Sequence, residues 1–129
     1  MNTKKIGQEA QEQIAFMRWL KLQYPSIEKV TFHIPNERKC SVYQGQLLKK
    51  MGVKSGVSDI FIAVPNEHYH GLFIEMKSTN GKPTPNQIQF INSMNKNGYL
   101  GCFCFGWTEA RHVTQNYLKS VKKEIFNNH

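Results

Sequence analysis

The sequence predicts a mixed α/β fold, a central mixed β-sheet flanked by α-helices, on three observations. Two apolar, β-branched runs, 56–64 and 69–76, read as neighbouring strands joined by the turn-rich link Pro65-Asn66-Glu67-His68. A helix opening at Thr84-Pro85 separates them from a further apolar run at 100–105. Helical periodicity then brackets the chain at 8–23 and again from 108 onward.

Taken in order, residues 8–23 repeat Ile14, Met17 and Leu20, with Phe16 beside them, at helical spacing, and Tyr24-Pro25 stops the run. Residues 29–34 read as a strand closed by Pro35-Asn36. Within 40–51, Val42, Leu47, Leu48 and Met51 line a short helix that Gly52 terminates. Residues 73–77 alternate as a pleated strand demands, so Glu75 and Lys77 project from one face and Met76 from the other. Thr84 is the expected N-cap and Pro85 the first helical residue, with Ile88, Ile91 and Met94 as a buried stripe up to Gly98. The final helix carries Ala110, Val113, Tyr117, Leu118 and Val121 and frays into a polar tail. The step from the Glu75 strand through the Thr84 helix to 100–105 is expected to be a right-handed parallel crossover. At 129 residues, 40% of them hydrophobic, the chain supports one core and is read as one domain over 1–129.

No segment approaches the roughly 18 consecutive apolar residues of a membrane span. The basic start Met1-Asn2-Thr3-Lys4-Lys5 leads into Glu, Gln and Ala rather than an apolar leader. A soluble, cytoplasmic protein is expected. Three cysteines, an odd number, argue against a disulfide framework. Cys102 and Cys104 share one face of a strand and are read as core packing rather than as zinc ligands with His112; Cys40 falls in a polar, loop-like region.

The chemistry concentrates at the ends of the two central strands. Asp59 opens one, Glu75 and Lys77 close the other, and pairing as neighbours brings all three to one edge. Charges at the end of buried strands need a partner, and a hard divalent cation is a suitable one. The carboxylates of Asp59 and Glu75 with the backbone carbonyl of Met76 form an oxygen-rich set for Mg²⁺ or Mn²⁺. Lys77 is placed to orient a nucleophilic water or to offset developing phosphate charge. On the first helix Glu9, Glu12 and Gln13 lie on one side, and Glu9 and Glu12 compete as a further acid for the site.

Seventeen Lys and Arg against nine Asp and Glu give a net charge of +8. Lys49, Lys50 and Lys54 crowd before the Asp59 strand and Lys82 follows the Glu75 strand, a basic surround to an acidic centre. That distribution suits a polyanion, whose phosphates release counterions when neutralised. His33, Asn36 and Arg38 are further candidates for the cleft without an assigned role. His68 and His70 are read as edging the hairpin, and Trp107 as core.

Asp59, a spacer and then Glu75-Met76-Lys77 resemble the PD-(D/E)xK nuclease signature, with Ser58 standing where the proline is expected. The closer resemblance is to the VRR-NUC (virus-type replication-repair nuclease) family. It rests on Gly56-Val57-Ser58-Asp59, Glu75-Met76-Lys77, Thr84-Pro85-Asn86-Gln87 and Gly98, four motifs in order. The resemblance implies a restriction-endonuclease-like core (α-β-β-β-α-β) and selects Glu9, with Gln13, over Glu12. It adds Gln87 as a residue contacting the bound water or a phosphate. It further implies metal-dependent DNA endonuclease activity on branched or four-way DNA in phage-type replication and repair, and a homodimer. A non-catalytic nucleic-acid-binding module on the same fold is the rival reading, left open by Ser58. Nothing in the sequence separates DNA from RNA as substrate.

Overall fold

The computed structural model describes residues 6–35 and 41–127. Cys40, Asn36 and Arg38, singled out above, lie outside the described residues. The first helix, α1 (Gln8–Gln23), ends where Tyr24 turns out of helical geometry and Pro25 starts a one-turn helix, α2 (Pro25–Glu28). Proline suits that first helical position because its missing N–H has no intrahelical partner there. Strand β1 (Thr31–His33) follows, then α3 (Val42–Lys50), opened by a capping box between Ser41 and Gln44.

Strands β2 (Ile60–Ile62) and β3 (Leu72–Lys77) form the central hairpin, and β2 is shorter than the 56–64 run predicts. Helix α4 (Pro85–Lys96) carries the chain to β4 (Leu100–Phe105), and α5 (Trp107–Leu118) and α6 (Lys123–Asn127) complete it. The sheet order is β1-β2-β3-β4, with the first three strands antiparallel and β4 parallel to β3. The expected parallel crossover through α4 is therefore present.

The two faces of the sheet differ in chemistry. Ile60, Ile62, Leu72, Ile74, Met76 and Cys104 point into the main core. There they meet Phe16 and Leu20 of α1, Ile27 of α2, and Ala110, Tyr117 and Leu118 of α5. Burying a large aliphatic or aromatic side chain contributes roughly 1.5–3 kcal/mol, so this layer carries most of the cohesion. Residues of opposite parity face α4: Phe73 stacks on Phe61, ring centroids 4.3 Å apart, and meets Phe90 of α4 edge-on at 5.3 Å.

Burial of two helical stripes departs from the periodicity reading. On α1 the buried pair is Phe16 and Leu20, while Ile14 is 48% exposed. On α4 it is Gln87 and Ile91, while Ile88 is 43% exposed. Both helices have apolar residues on two sides, and the sheet beneath decides which side is covered. The final helix also breaks at Leu118, and α6 lays Phe126 against Tyr24 with ring centroids 6.5 Å apart.

Candidate nuclease site

Asp59 sits just ahead of β2, and backbone and side chain are both held. Its carbonyl accepts from the Ile34 N–H at 2.7 Å and lies 2.9 Å from His33 Nδ1. Gln13 Nε2 approaches the same ring nitrogen at 2.9 Å, so the His33 tautomer decides which contact is a hydrogen bond. The Asp59 carboxylate, through Oδ2, accepts from the Met76 backbone N–H at 2.9 Å.

The register places the second acid. Ile62 pairs with Leu72, Phe61 with Phe73 and Ile60 with Ile74, so one step further sets Asp59 opposite Glu75. Cross-strand partners share a face, here the α4 face. Glu75 is 3% exposed and Lys77, two residues on and on the same face, 7% exposed. Burying a carboxylate and an ammonium costs several kcal/mol each unless they are matched with opposite charge or hydrogen bonds. In a pleated strand the N–H and C=O of one residue face the same neighbour. The Met76 carbonyl therefore faces the side on which its N–H reaches Asp59.

Two carboxylates and a carbonyl in register suit a hard cation that keeps several of its own waters, as Mg²⁺ does. The residues present fit such an ion. Among the described residues no three His, Cys, Asp or Glu side chains form a closed metal-binding set. A protein cage made only of side chains is not what the site offers.

Helix α1 delivers its two acids to different places. Glu9, in the first turn, reaches the end of β3, where its Oε1 accepts a long bond from the Ser78 N–H at 3.4 Å. Glu12, three residues on, accepts through Oε2 from the Trp107 N–H at 2.8 Å. Trp107 is the first residue of α5, whose N-cap is Gly106 and lacks a side chain, so Glu12 supplies the missing cap from another helix. The Trp107 ring is half-buried against the core, with the Arg111 guanidinium 5.2 Å from its centroid.

Gln87 is buried at the N-terminus of α4, 5% exposed, rather than a solvated first-turn residue. It forms a capping box with Thr84: its N–H donates to Thr84 Oγ1 at 3.2 Å, and its Oε1 accepts from the Thr84 N–H at 3.0 Å. That occupies the amide oxygen and leaves Nε2 as its donor end.

Gly56 brings the Asp59 segment against this helix. It adopts φ +82°, and a Cβ there would lie 2.5 Å from the Asn86 backbone carbonyl. Both the conformation and the space require glycine. Asn86 Nδ2 donates to Ser55 Oγ at 3.0 Å across the same junction. Gly98, φ +89°, ends α4, as the Tyr99 N–H reaches back to the Met94 carbonyl at 3.0 Å.

Ser58 is fully buried and its hydroxyl has no hydrogen-bond partner among the described residues. Lys49, Lys50, Lys54 and Lys82 are all exposed. Lys54 lines an open groove of about 350 Å³ with Ser55, Asn86, Gln89, Phe90 and Ser93. His33 and Gln13 meet behind Asp59, a contact between β1 and α1 to which the sequence reading assigned no role. His70 packs over Gly98 and against Tyr99 instead.

Burial pushes the Cys102 thiol up and takes Cys104 to about 12, with Cys102 and Glu109 adding to the rise at Cys104. Both behave as apolar packing residues, as expected. No helix among the described residues is long and apolar enough to cross a membrane.

Comparison with known proteins agrees with this fold. A solved structure described as a VRR_NUC domain protein superposes with a TM-score of 0.80 at 30% sequence identity, covering 92% of this chain and 94% of that one. None of the curated proteins compared with the chain matches significantly. The sequence profile of the VRR-NUC domain matches residues 7–106, which span every motif element from Glu9 to Gly98. The chain belongs to the VRR-NUC family of nucleases.

Proposed function

We propose that this protein is a divalent-metal-dependent DNA endonuclease with Asp59, Glu75 and Lys77 at its centre. The observation that carries the reading is the register: Asp59 opposite Glu75, with buried Lys77 beside them on one sheet face. Asp59, Glu75 and the Met76 carbonyl would hold Mg²⁺ or Mn²⁺. When bound, the ion polarises the phosphate and lowers the pKa of a water. Lys77 orients the attacking water and offsets charge that grows on the phosphate in the transition state. Gln87 offers Nε2 to a phosphate oxygen, and Glu9 closes the acidic rim from α1. Exposed Lys49, Lys50, Lys54 and Lys82 attract the backbone of the substrate.

We assign branched or four-way DNA as the substrate and a homodimer as the working form. On α3, Val42, Tyr43 and Leu47, with Met51 after it, are exposed together, an apolar surface that a second copy would cover. Two copies would set two sites on two strands of one junction.

The test is cleavage of supercoiled plasmid and of four-way DNA with Mg²⁺, with Mn²⁺ and with EDTA, alongside light scattering for mass. Metal-dependent nicking that prefers the junction is expected. Binding without cleavage in either metal would overturn the enzyme reading in favour of a binding module.

A further inference from the structure

The face of the sheet that carries Asp59 and Glu75 also carries a run of aromatic rings. Phe32 of β1 pairs with Phe61 of β2, and Phe61 with Phe73 of β3. The rings touch in the same order: Phe32 meets Phe61 edge-on at 5.7 Å, and Phe61 stacks on Phe73 at 4.3 Å. Tyr99 closes on both Phe61 and Phe73, at 6.0 and 5.5 Å. Helix α4 packs on β3 and β4 and buries the Phe73 end of the run. At the other end Phe32 stays 50% exposed.

The placement relative to the acids is fixed by the strands. Phe61 is two residues from Asp59 and Phe73 two from Glu75, about 7 Å along the strand. Phe32 lies one strand further out on the same face. With the strand spacing of about 4.8 Å added to about 7 Å along the strand, Phe32 lies on the order of 8 Å from Asp59, between two and three backbone steps of a duplex strand. An exposed phenyl ring has no polar group to hydrate, and here it rests against Phe61, which Phe73 and Tyr99 hold in turn. A rigid, flat apolar surface beside a phosphate-cleaving centre, on a chain of net charge +8, fits the flat face of a nucleobase. Bases inside a duplex have both faces covered by their neighbours. A base that has left the stack offers one.

We infer that Phe32, backed by Phe61, is a stacking platform for an unpaired nucleobase next to the phosphate held at Asp59 and Glu75. The inference rests on the nuclease reading and names the substrate feature that the site recognises: a strand that leaves a duplex.

The experiment measures binding in EDTA, so it does not depend on turnover. The probe is a DNA duplex bearing a short unpaired tail, made either of thymidines or of abasic units with the same phosphates. The natural protein should bind the thymidine tail on the order of tenfold more tightly, the scale of one base–aromatic stack. Phe32→Ala should bind both tails alike, and Phe32→Trp should keep the preference. Equal binding of the two tails by the natural protein would overturn the platform, as would a preference that survives in Phe32→Ala. A change of oligomeric mass in Phe32→Ala would also overturn it, by assigning the ring to a protein interface. If the preference is present but no DNA is cut with Mg²⁺ or Mn²⁺, the platform stands and the nuclease reading falls.

Discussion

The Met76 backbone N–H donates to the Asp59 carboxylate across 2.9 Å, so a side chain continues the β2–β3 ladder past its last backbone pair. The same carboxylate thus has a structural duty and a proposed ligand duty. Substitutions can separate them. Asp59→Asn keeps an oxygen for the Met76 N–H and removes the charge. It should retain the fold, lose at least about a hundredfold in cleavage, and bind DNA as well or better. Asp59→Ala should also lower stability by about 1–2 kcal/mol through the orphaned N–H. Glu75→Gln should match Asp59→Asn in cleavage. Single-turnover assays with thermal melts on the three variants check this.

Glu9 and Glu12 should divide function from stability. Glu12 caps α5 through the Trp107 N–H, so Glu12→Ala should cost about 1 kcal/mol and lower the melting temperature. Glu9→Gln should leave melting nearly unchanged and reduce cleavage more than Glu12→Gln does. Denaturant titration beside cleavage rates decides it, and the reverse ranking would move the working acid one turn along α1.

For Lys77 the split is between turnover and affinity. Lys77→Ala should reduce cleavage by about two orders of magnitude with affinity changed only a few-fold, because the charge acts in the transition state. Lys49→Ala, exposed on α3, should weaken binding and lower the salt slope by about one unit without slowing single-turnover cleavage. Equal effects of the two on binding, with both rates unchanged, would remove Lys77 from catalysis.

Alkaline pH should destabilise the fold from about pH 9 upward. Burial raises Cys104 from 9.0 to about 12 and Tyr117 from 10.0 to about 12. The folded state therefore keeps protons that the unfolded chain releases, and stability falls as pH rises between those limits. The stabilisation is complete below pH 9 and lost by pH 12. Urea midpoints measured across this range should decline, and Cys104→Ala should flatten the decline.

Much of the frame was legible because its signals are local. The alternation at 73–77 predicts which side Glu75 and Lys77 take, and Thr84-Pro85 marks the start of α4 within one residue. Gly98 and Gly52 both end helices as read. What stayed hidden depends on distant partners. Ile14 and Ile88 fit their helical stripes, yet Phe16 and Gln87 took the buried sides beside Leu20 and Ile91, because the sheet lies there. The two acids of α1 are indistinguishable by helix geometry alone; Trp107 and Ser78, far along the chain, tell them apart. The Phe32–Phe61–Phe73 run needs strand order and register, which no single segment encodes.

The family match closes at Gly106, but the core does not. Ala110, Tyr117, Leu118 and Val121 cover the sheet from beyond that point, Tyr117 donates its hydroxyl to the Val64 carbonyl at 2.6 Å, and Asn66 donates to the Tyr117 carbonyl at 3.1 Å. The stretch that the family profile spans and the stretch that completes the core thus have different ends, and the similar solved structure, which covers 92% of the chain, extends past Gly106 as the core does. A fragment cut to the motif-bearing region would keep every proposed catalytic residue and lose the wall they lean on. Dissection of this protein by motif boundaries would yield a sticky, misfolded piece, and its silence in an assay would say nothing about the chemistry.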